Sequence, residues 1–386
     1  MSVLGKRTRR FRLAYAALAG LLLSAMTVTD GAGLLGHSPA GAREMNDEER
    51  AVTSRSAWGT YAWSAPIEWY EEIPYGLVGG YPMADVMLGT PPEKCESRAA
   101  GSWFSYAVEE AIIPSYYPGE GNSSPDDPGA SKYRPPTLAR SANPPYKSQY
   151  GDNQEKAELK PTGDSGPVFT SACETPLAGK AFARHFTMNM NGVKADQGVA
   201  ETEQRFDTAK HMIVTNTHSE LTNLSLGTLT IKEVASFLTV ELPPDSKPNI
   251  SYRIVLQGIS GGGSEKSNDG GQDSDVGDKG LVISGQSVGG ADMLAQFNQQ
   301  MNAHQDVVKA LGRYGVRVLA PNIEEGRCWG RGVKEVSQTC KGWYLAEGPV
   351  LDAGFGPNSR ENQIFQYQAM RIGSTRFFGH YNEIDS

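Results

Sequence analysis

Apolar and polar residues alternate most clearly in the middle of the chain. Leu229-Thr230-Ile231-Lys232 and Phe237-Leu238-Thr239-Val240-Glu241 take turns in this way, the two-residue period of a strand with one buried and one wet face. Residues 181–190, 208–215, 226–241 and 250–259 share the Thr- and Val-rich character. Asn191-Gly192 and Pro243-Pro244-Asp245 supply turns between them, so the segment predicts an antiparallel meander. The period then changes. Leu281-Val282-Ile283 reads as a strand. Residues 292–311 read as a helix, with Leu294, Phe297, Met301, Val308 and Leu311 at helical spacing. Gly315 is placed to end it, and Val316-Arg317-Val318-Leu319 is the next strand. The fold class expected is α+β: a mainly antiparallel sheet packed on one long amphipathic helix at about 292–311.

Around this body the chain divides into segments of different character. Residues 1–42 read as a signal peptide. Residues 43–113 are rich in Trp and Tyr, among them Trp58, Trp63, Trp69 and Trp103, residue types that suit strands and half-buried faces. Residues 114–175 are broken by Pro114, Pro118, Pro125, Pro128, Pro135, Pro136, Pro144 and Pro145 among Gly, Ser, Asn and Asp. That stretch reads as a loop region with few regular elements. Residues 176–386 form the expected strand-rich α+β domain.

The amino terminus carries the compartment. Lys6, Arg7, Arg9, Arg10 and Arg12 precede an uncharged run from Leu13 to Val28, the anatomy of a secretory signal. Ala40-Gly41-Ala42 supplies a small-residue cleavage site, with Ala32 an earlier one. The run is short for a membrane span, which needs roughly 20 residues. Retention as an uncleaved anchor is the rival to cleavage. An extracytoplasmic protein, secreted or at the cell surface, is expected. The formal charge is −8, and removal of the leader makes the remainder more acidic. This disfavours nucleic acid as a partner. No cofactor is expected, and the partners that suit such a chain are cell envelope components or an apolar ligand.

Four cysteines, Cys95, Cys173, Cys328 and Cys340, lie beyond the leader. An even count in an exported chain reads as two disulfides, with three pairings open. Cys328 with Cys340 and Cys95 with Cys173 is the natural choice. Gly261–Gly280 is a low-complexity loop in which Asp273, Asp275 and Asp278 could hold calcium. The spacing fails the EF-hand pattern, and a solvated loop is the favoured reading.

Gly285-Gln286-Ser287-Val288-Gly289 fits G-x-S-x-G between a strand and a helix. A serine hydrolase would use Ser287 as nucleophile, His380 as base and Asp352 to orient it. Gly261-Gly262-Gly263 would then serve as the oxyanion loop. An elbow strand sits in a parallel sheet with helical crossovers, and no helix of fair length is predicted upstream of Ser287. A strand-to-helix turn is therefore the favoured reading. His185, His211, His218 and His304 show no metal-ligand spacing.

The segments "SRSAWGTYAW", "YYPGEGNSSPDD", "HSELTNLSLGTLTIKEVAS", "DKGLVISGQSV" and "LGRYGVRVLAP" follow one another along the chain. In this order they resemble a group of actinobacterial secreted or cell-surface proteins of uncharacterised function. The resemblance implies that "GQSVGG" is a turn of that group, and it lends no catalytic residues. A non-catalytic binding or structural protein at the cell surface is the leading expectation. Carriage of a lipid or other apolar ligand and hydrolysis by Ser287 are the alternatives.

Overall fold

The computed structural model describes residues 56–71, 77–90, 94–101, 103–104, 138–148, 151–159, 168–190, 193–210, 212–243, 246–261, 279–326, 340–353 and 367–383. The first strands in chain order are β1 (Ser56–Glu71), β2 (Leu77–Tyr81), β3 (Met83–Thr90), β4 (Lys94–Ala100), β5 (Trp103–Phe104) and β6 (Leu138–Asn143). A small hairpin, β7 (Tyr146–Ser148) and β8 (Gly151–Asn153), follows. Then comes the meander: β9 (Lys156–Leu159), β10 (Val168–Thr175), β11 (Ala178–Met190), β12 (Val193–Asp207), β13 (Met212–Leu226), β14 (Leu229–Leu242), β15 (Asn249–Gly261) and β16 (Lys279–Val288). Helices α1 (Met293–Ala303) and α2 (Gln305–Arg313) separate it from β17 (Arg317–Leu319), β18 (Asn322–Gly326), β19 (Cys340–Glu347), β20 (Val350–Asp352) and β21 (Tyr367–Glu383).

The meander forms an eight-stranded sheet in the order β16-β15-β14-β13-β12-β11-β10-β9, antiparallel throughout. The other strands build an eleven-stranded sheet around β17-β20-β21-β1-β3-β4-β6, where the long β1 and β21 lie side by side. The two sheets pack face to face. Each contributes alternate residues to one core, for example Phe377, Ile372, Ala62 and Leu88 from one and Leu238, Val234, Leu221 and Ile254 from the other. Fully burying one such Leu, Ile or Phe side chain contributes roughly 1.5–3 kcal/mol.

Polar residues also lie between the sheets and bond directly across. Thr60 donates to Gln204 Oε1 at 3.0 Å, and Ser64 donates to the Glu201 carbonyl at 2.9 Å. Thr202 donates to the Ala84 carbonyl at 2.8 Å, and Ser97 to the Lys180 carbonyl at 2.6 Å. A buried hydroxyl left without a partner costs free energy, so these bonds hold the facing strands in one register. Cys95 of β4 and Cys173 of β10 are joined by a disulfide, which ties the two sheets covalently within the core. Cys328 and the side chain of Cys340 lie outside the described residues, as do residues 1–42 and Asp273, Asp275 and Asp278.

The α+β expectation with one long helix is corrected. The described fold is all-β, and the predicted 292–311 helix is two helices of 11 and 9 residues. The break falls at His304, whose backbone leaves the helical region at φ −118°, ψ 35°. Gln305 turns its side-chain amide back to the Met301 carbonyl at 3.4 Å, an acceptor it shares with the His304 backbone amide at 3.1 Å. The change of direction also alters the stripe. Phe297 and Leu311 are buried as the spacing predicted, but Leu294 is 57% exposed. Gly315 ends the second helix at φ 74°, with the Val316 amide on the Leu311 carbonyl. The proline-rich stretch is also less irregular than its punctuation suggests. It supplies β6 to one sheet and β9 and β10 to the other.

Candidate binding groove

The open face of the eight-stranded sheet is crossed by a crease. Along β14 the inward positions run Leu229, Ile231 and then Val234, Ser236, Leu238. In β15 they run Ile250, Tyr252, Ile254, Leu256 and then Ile259, and in β13 Leu221 is followed by Leu224. β12 makes the same three-residue step, from Ala195 to Gly198 and Ala200. Each strand carries an extra residue there, so its alternation changes parity. The ladders skip at that level: Thr222 pairs Glu233 and Leu224 pairs Ile231, and Glu233 pairs Gln257 while Ile231 pairs Ile259. Bulges on neighbouring strands are thus aligned, and bulges bend a sheet and re-aim its side chains.

Two residues in the crease have left-handed backbone, Asn223 at φ 52° and Gly258 at φ 64°. Asn is among the few side chains that tolerate this region. At Gly258 a Cβ would run into the Lys232 side chain, so glycine lets the lysine stem lie against the backbone. Asn223 donates to Asp196 Oδ2 at 2.7 Å, fastening β13 to β12. The result is an open polar groove of about 500 Å³. Glu220, Asn223, Lys232, Glu233, Gln257 and Lys279 are among its lining residues.

Beside the groove stands a stack of planar groups. Glu201, His218, Phe237 and Arg253 are direct cross-strand neighbours on β12 to β15. The His218 and Phe237 rings lie 4.4 Å apart with planes 4° from parallel, and the Arg253 guanidinium covers Phe237 at 6.0 Å. His218 Nε2 lies 3.5 Å from Glu220 Oε2, which connects the stack to the groove. Burial pushes the His218 imidazole below its ordinary pKa, although Glu220, Glu201 and Glu233 pull the other way. Burial has the same effect on His185.

The sign of the pH dependence follows. A histidine whose folded pKa lies below its unfolded value binds protons more readily when unfolded, so stability rises with pH in that window. Lowering the pH from about 7 through the ordinary imidazole value of about 6.5 is therefore expected to destabilise the fold. His218→Phe, which keeps the stack, is expected to flatten the curve, and His185 accounts for the slope that remains. Urea unfolding at a series of pH values measures it. Equal slopes in wild type and variant would show that His218 is not the titrating group.

The sequence-predicted catalytic residues sit elsewhere. Ser287 is the penultimate residue of the antiparallel edge strand β16, and its hydroxyl donates to the Ala291 carbonyl. Asp352, on β20 of the other sheet, accepts from Arg317 Nη2 at 2.7 Å. His380 pairs through its backbone with Gly59 and Trp343, and its side chain lies outside the described residues. Gly262 and Gly263 lie outside them too. Among the described residues, no three His, Cys, Asp or Glu side chains are grouped to hold a metal ion. No helix there is long and apolar enough to cross a membrane.

Alternation within any one strand does not reveal the groove; its signal in the sequence is the three-residue step in apolar spacing, repeated from strand to strand. A sandwich with a creased, polar outer face is the class that fold and site define. No protein-family model matches the chain, and no curated protein does. Among solved structures, Pseudomonas aeruginosa OccK2 (OpdF) in complex with glucuronate aligns at 8% identity over 86% of this chain and 98% of that one. The TM-score is 0.15, too low to carry any argument.

Proposed function

We propose that this is a non-catalytic binding protein of the cell surface or its surroundings, and that the crease groove takes a polar, polyhydroxylated ligand such as an envelope polysaccharide. The groove carries the reading. Glu220 and Glu233 present acceptors, Lys232 and Lys279 donors, and Asn223 and Gln257 both. A surface that alternates donors and acceptors suits a ligand that does the same. The disulfide between Cys95 and Cys173 supports an oxidising compartment, in keeping with the basic and apolar amino terminus. An apolar ligand finds less support, because the inner faces bond to each other across the sandwich at Thr60–Gln204 and Ser64–Thr202.

Binding to an array of bacterial surface polysaccharides tests the proposal, followed by calorimetry with the best ligand. Glu233→Gln and Gln257→Ala are expected to weaken that binding by about tenfold each, the equivalent of one good hydrogen bond, with the melting temperature unchanged. Binding that survives both variants at full strength would move the site away from the groove.

A further inference from the structure

A sheet edge exposes backbone donors and acceptors that invite another strand, and natural edges are commonly guarded by charge or proline. β16 is the edge of the eight-stranded sheet, yet residues 280–288 contain neither. The guard is a pair of glutamines on α1. Gln300 accepts from the Ser284 amide at 3.0 Å and donates to the Ser284 carbonyl at 2.5 Å. Gln296 accepts from the Gln286 amide at 3.2 Å and donates to the Gln286 carbonyl at 3.0 Å. Each side-chain amide imitates the peptide group of a neighbouring strand. The match is geometric: four helical residues rise about 6 Å and two strand residues about 6.8 Å.

Two further observations single out this edge. The large apolar side chains exposed among the described residues, Val282, Val288 and Leu294, all lie on β16 or α1. Helix α1 is also bounded by backbone breaks, Gly289, Gly290 and Asp292 with positive φ before it and the His304 interruption after it. We infer that Gln296 and Gln300 keep this edge from pairing while Met293 and Phe297 anchor α1 in the core, and that without the two amides the edge pairs with β16 of a second copy of this chain.

The strand is complementary to itself. Antiparallel pairing about Gly285 sets Ser284 opposite Gln286 of the second copy and Val282 opposite its Val288. It satisfies the same four backbone groups of each chain that Gln296 and Gln300 now satisfy. No like charges oppose each other, and the exposed valines cover one another, as in strand addition at open edges.

The test compares full-chain proteins by analytical ultracentrifugation and amide exchange. Wild type is expected to sediment as a monomer, and Gln296→Ala/Gln300→Ala at the doubled mass. In that variant, protection of the Ser284 and Gln286 amides should rise with concentration. Adding Val282→Lys/Val288→Lys, at exposed positions, is expected to restore the monomer. If the alanine pair fails to fold, Gln296→Met/Gln300→Met keeps helix propensity and length and loses only the amides. A folded variant that stays monomeric with exposed Ser284 and Gln286 amides overturns the inference, as does a dimer that the lysines do not dissociate.

Discussion

Replacing Cys95 and Cys173 together by alanine is expected to lower the unfolding free energy by about 4 kcal/mol, a large share of the roughly 5–15 kcal/mol that native proteins have. The cysteines lie 78 residues apart in sequence and their Cα atoms 5.7 Å apart, on strands of different sheets. In the unfolded chain the bond closes a long loop, and the entropy so removed grows with the logarithm of its length. Both sulfurs are buried, and Gly179 packs so closely that a Cβ there would sit 2.6 Å from Cys95 Sγ. Two alanines therefore also leave a void that the surrounding strands fill only in part. Guanidinium unfolding of the double variant measures the loss. A reduction below about 1 kcal/mol would mean that packing between the sheets, and not the crosslink, fixes their relation.

Asp85→Ala is expected to cost about 3–5 kcal/mol, as breaking a buried ion pair does. Arg140, Arg98, Asp85, Trp63, Arg376 and Glu347 are successive cross-strand neighbours on the face of the eleven-stranded sheet turned away from the core. Within this row Arg98 donates to Asp85 through Nε at 2.9 Å and Nη2 at 2.5 Å, and Asp85 and Arg98 are 2% and 3% exposed. Tyr61 donates to the same carboxylate at 3.1 Å. Burial, and then Asp85 itself, hold the Tyr61 phenol well above its ordinary pKa, so it stays a donor. Removing the carboxylate takes from both donors the acceptor they share. The double variant Asp85→Leu/Arg98→Met, which removes both charges, is expected to recover much of the loss. Thermal and denaturant unfolding of the single and double variants decides this. A single variant within about 0.5 kcal/mol of wild type would mean that the pair contributes as little as a surface pair does.

The meander was legible because its strands bury one face: the alternation at Phe237–Glu241 is the pleat itself. The paired charges were not. Glu68, Asp85, Arg98 and Arg376 lie far apart in sequence, and their types ordinarily signal a wet surface. Only cross-strand pairing places Arg376 on Glu68 at 2.6 Å, and no local pattern encodes that partnership. The helix was half legible. Phe297 and Leu311 keep helical spacing, but a periodic stripe continues through a break at His304 that one residue's backbone decides. The crease was present in the apolar spacing and was hidden by reading each strand singly, since one skipped position looks like noise and four in register do not. Ser287 shows the converse, a motif whose spacing fits while an antiparallel edge strand surrounds it.

The pairing of β1 with β21 has a consequence for the order of assembly. Ser374 and Glu68, joined across these strands, are 306 residues apart in sequence. The hairpins of the meander are local and can form as they emerge, but β1 must wait for the last strand of the sheet. Long-range pairing of this kind is slow, and an early strand held open is exposed to wrong partners. The eleven-stranded sheet thus stays open from the emergence of β1 until β21 has been made, and the packing of the two sheets against each other waits with it.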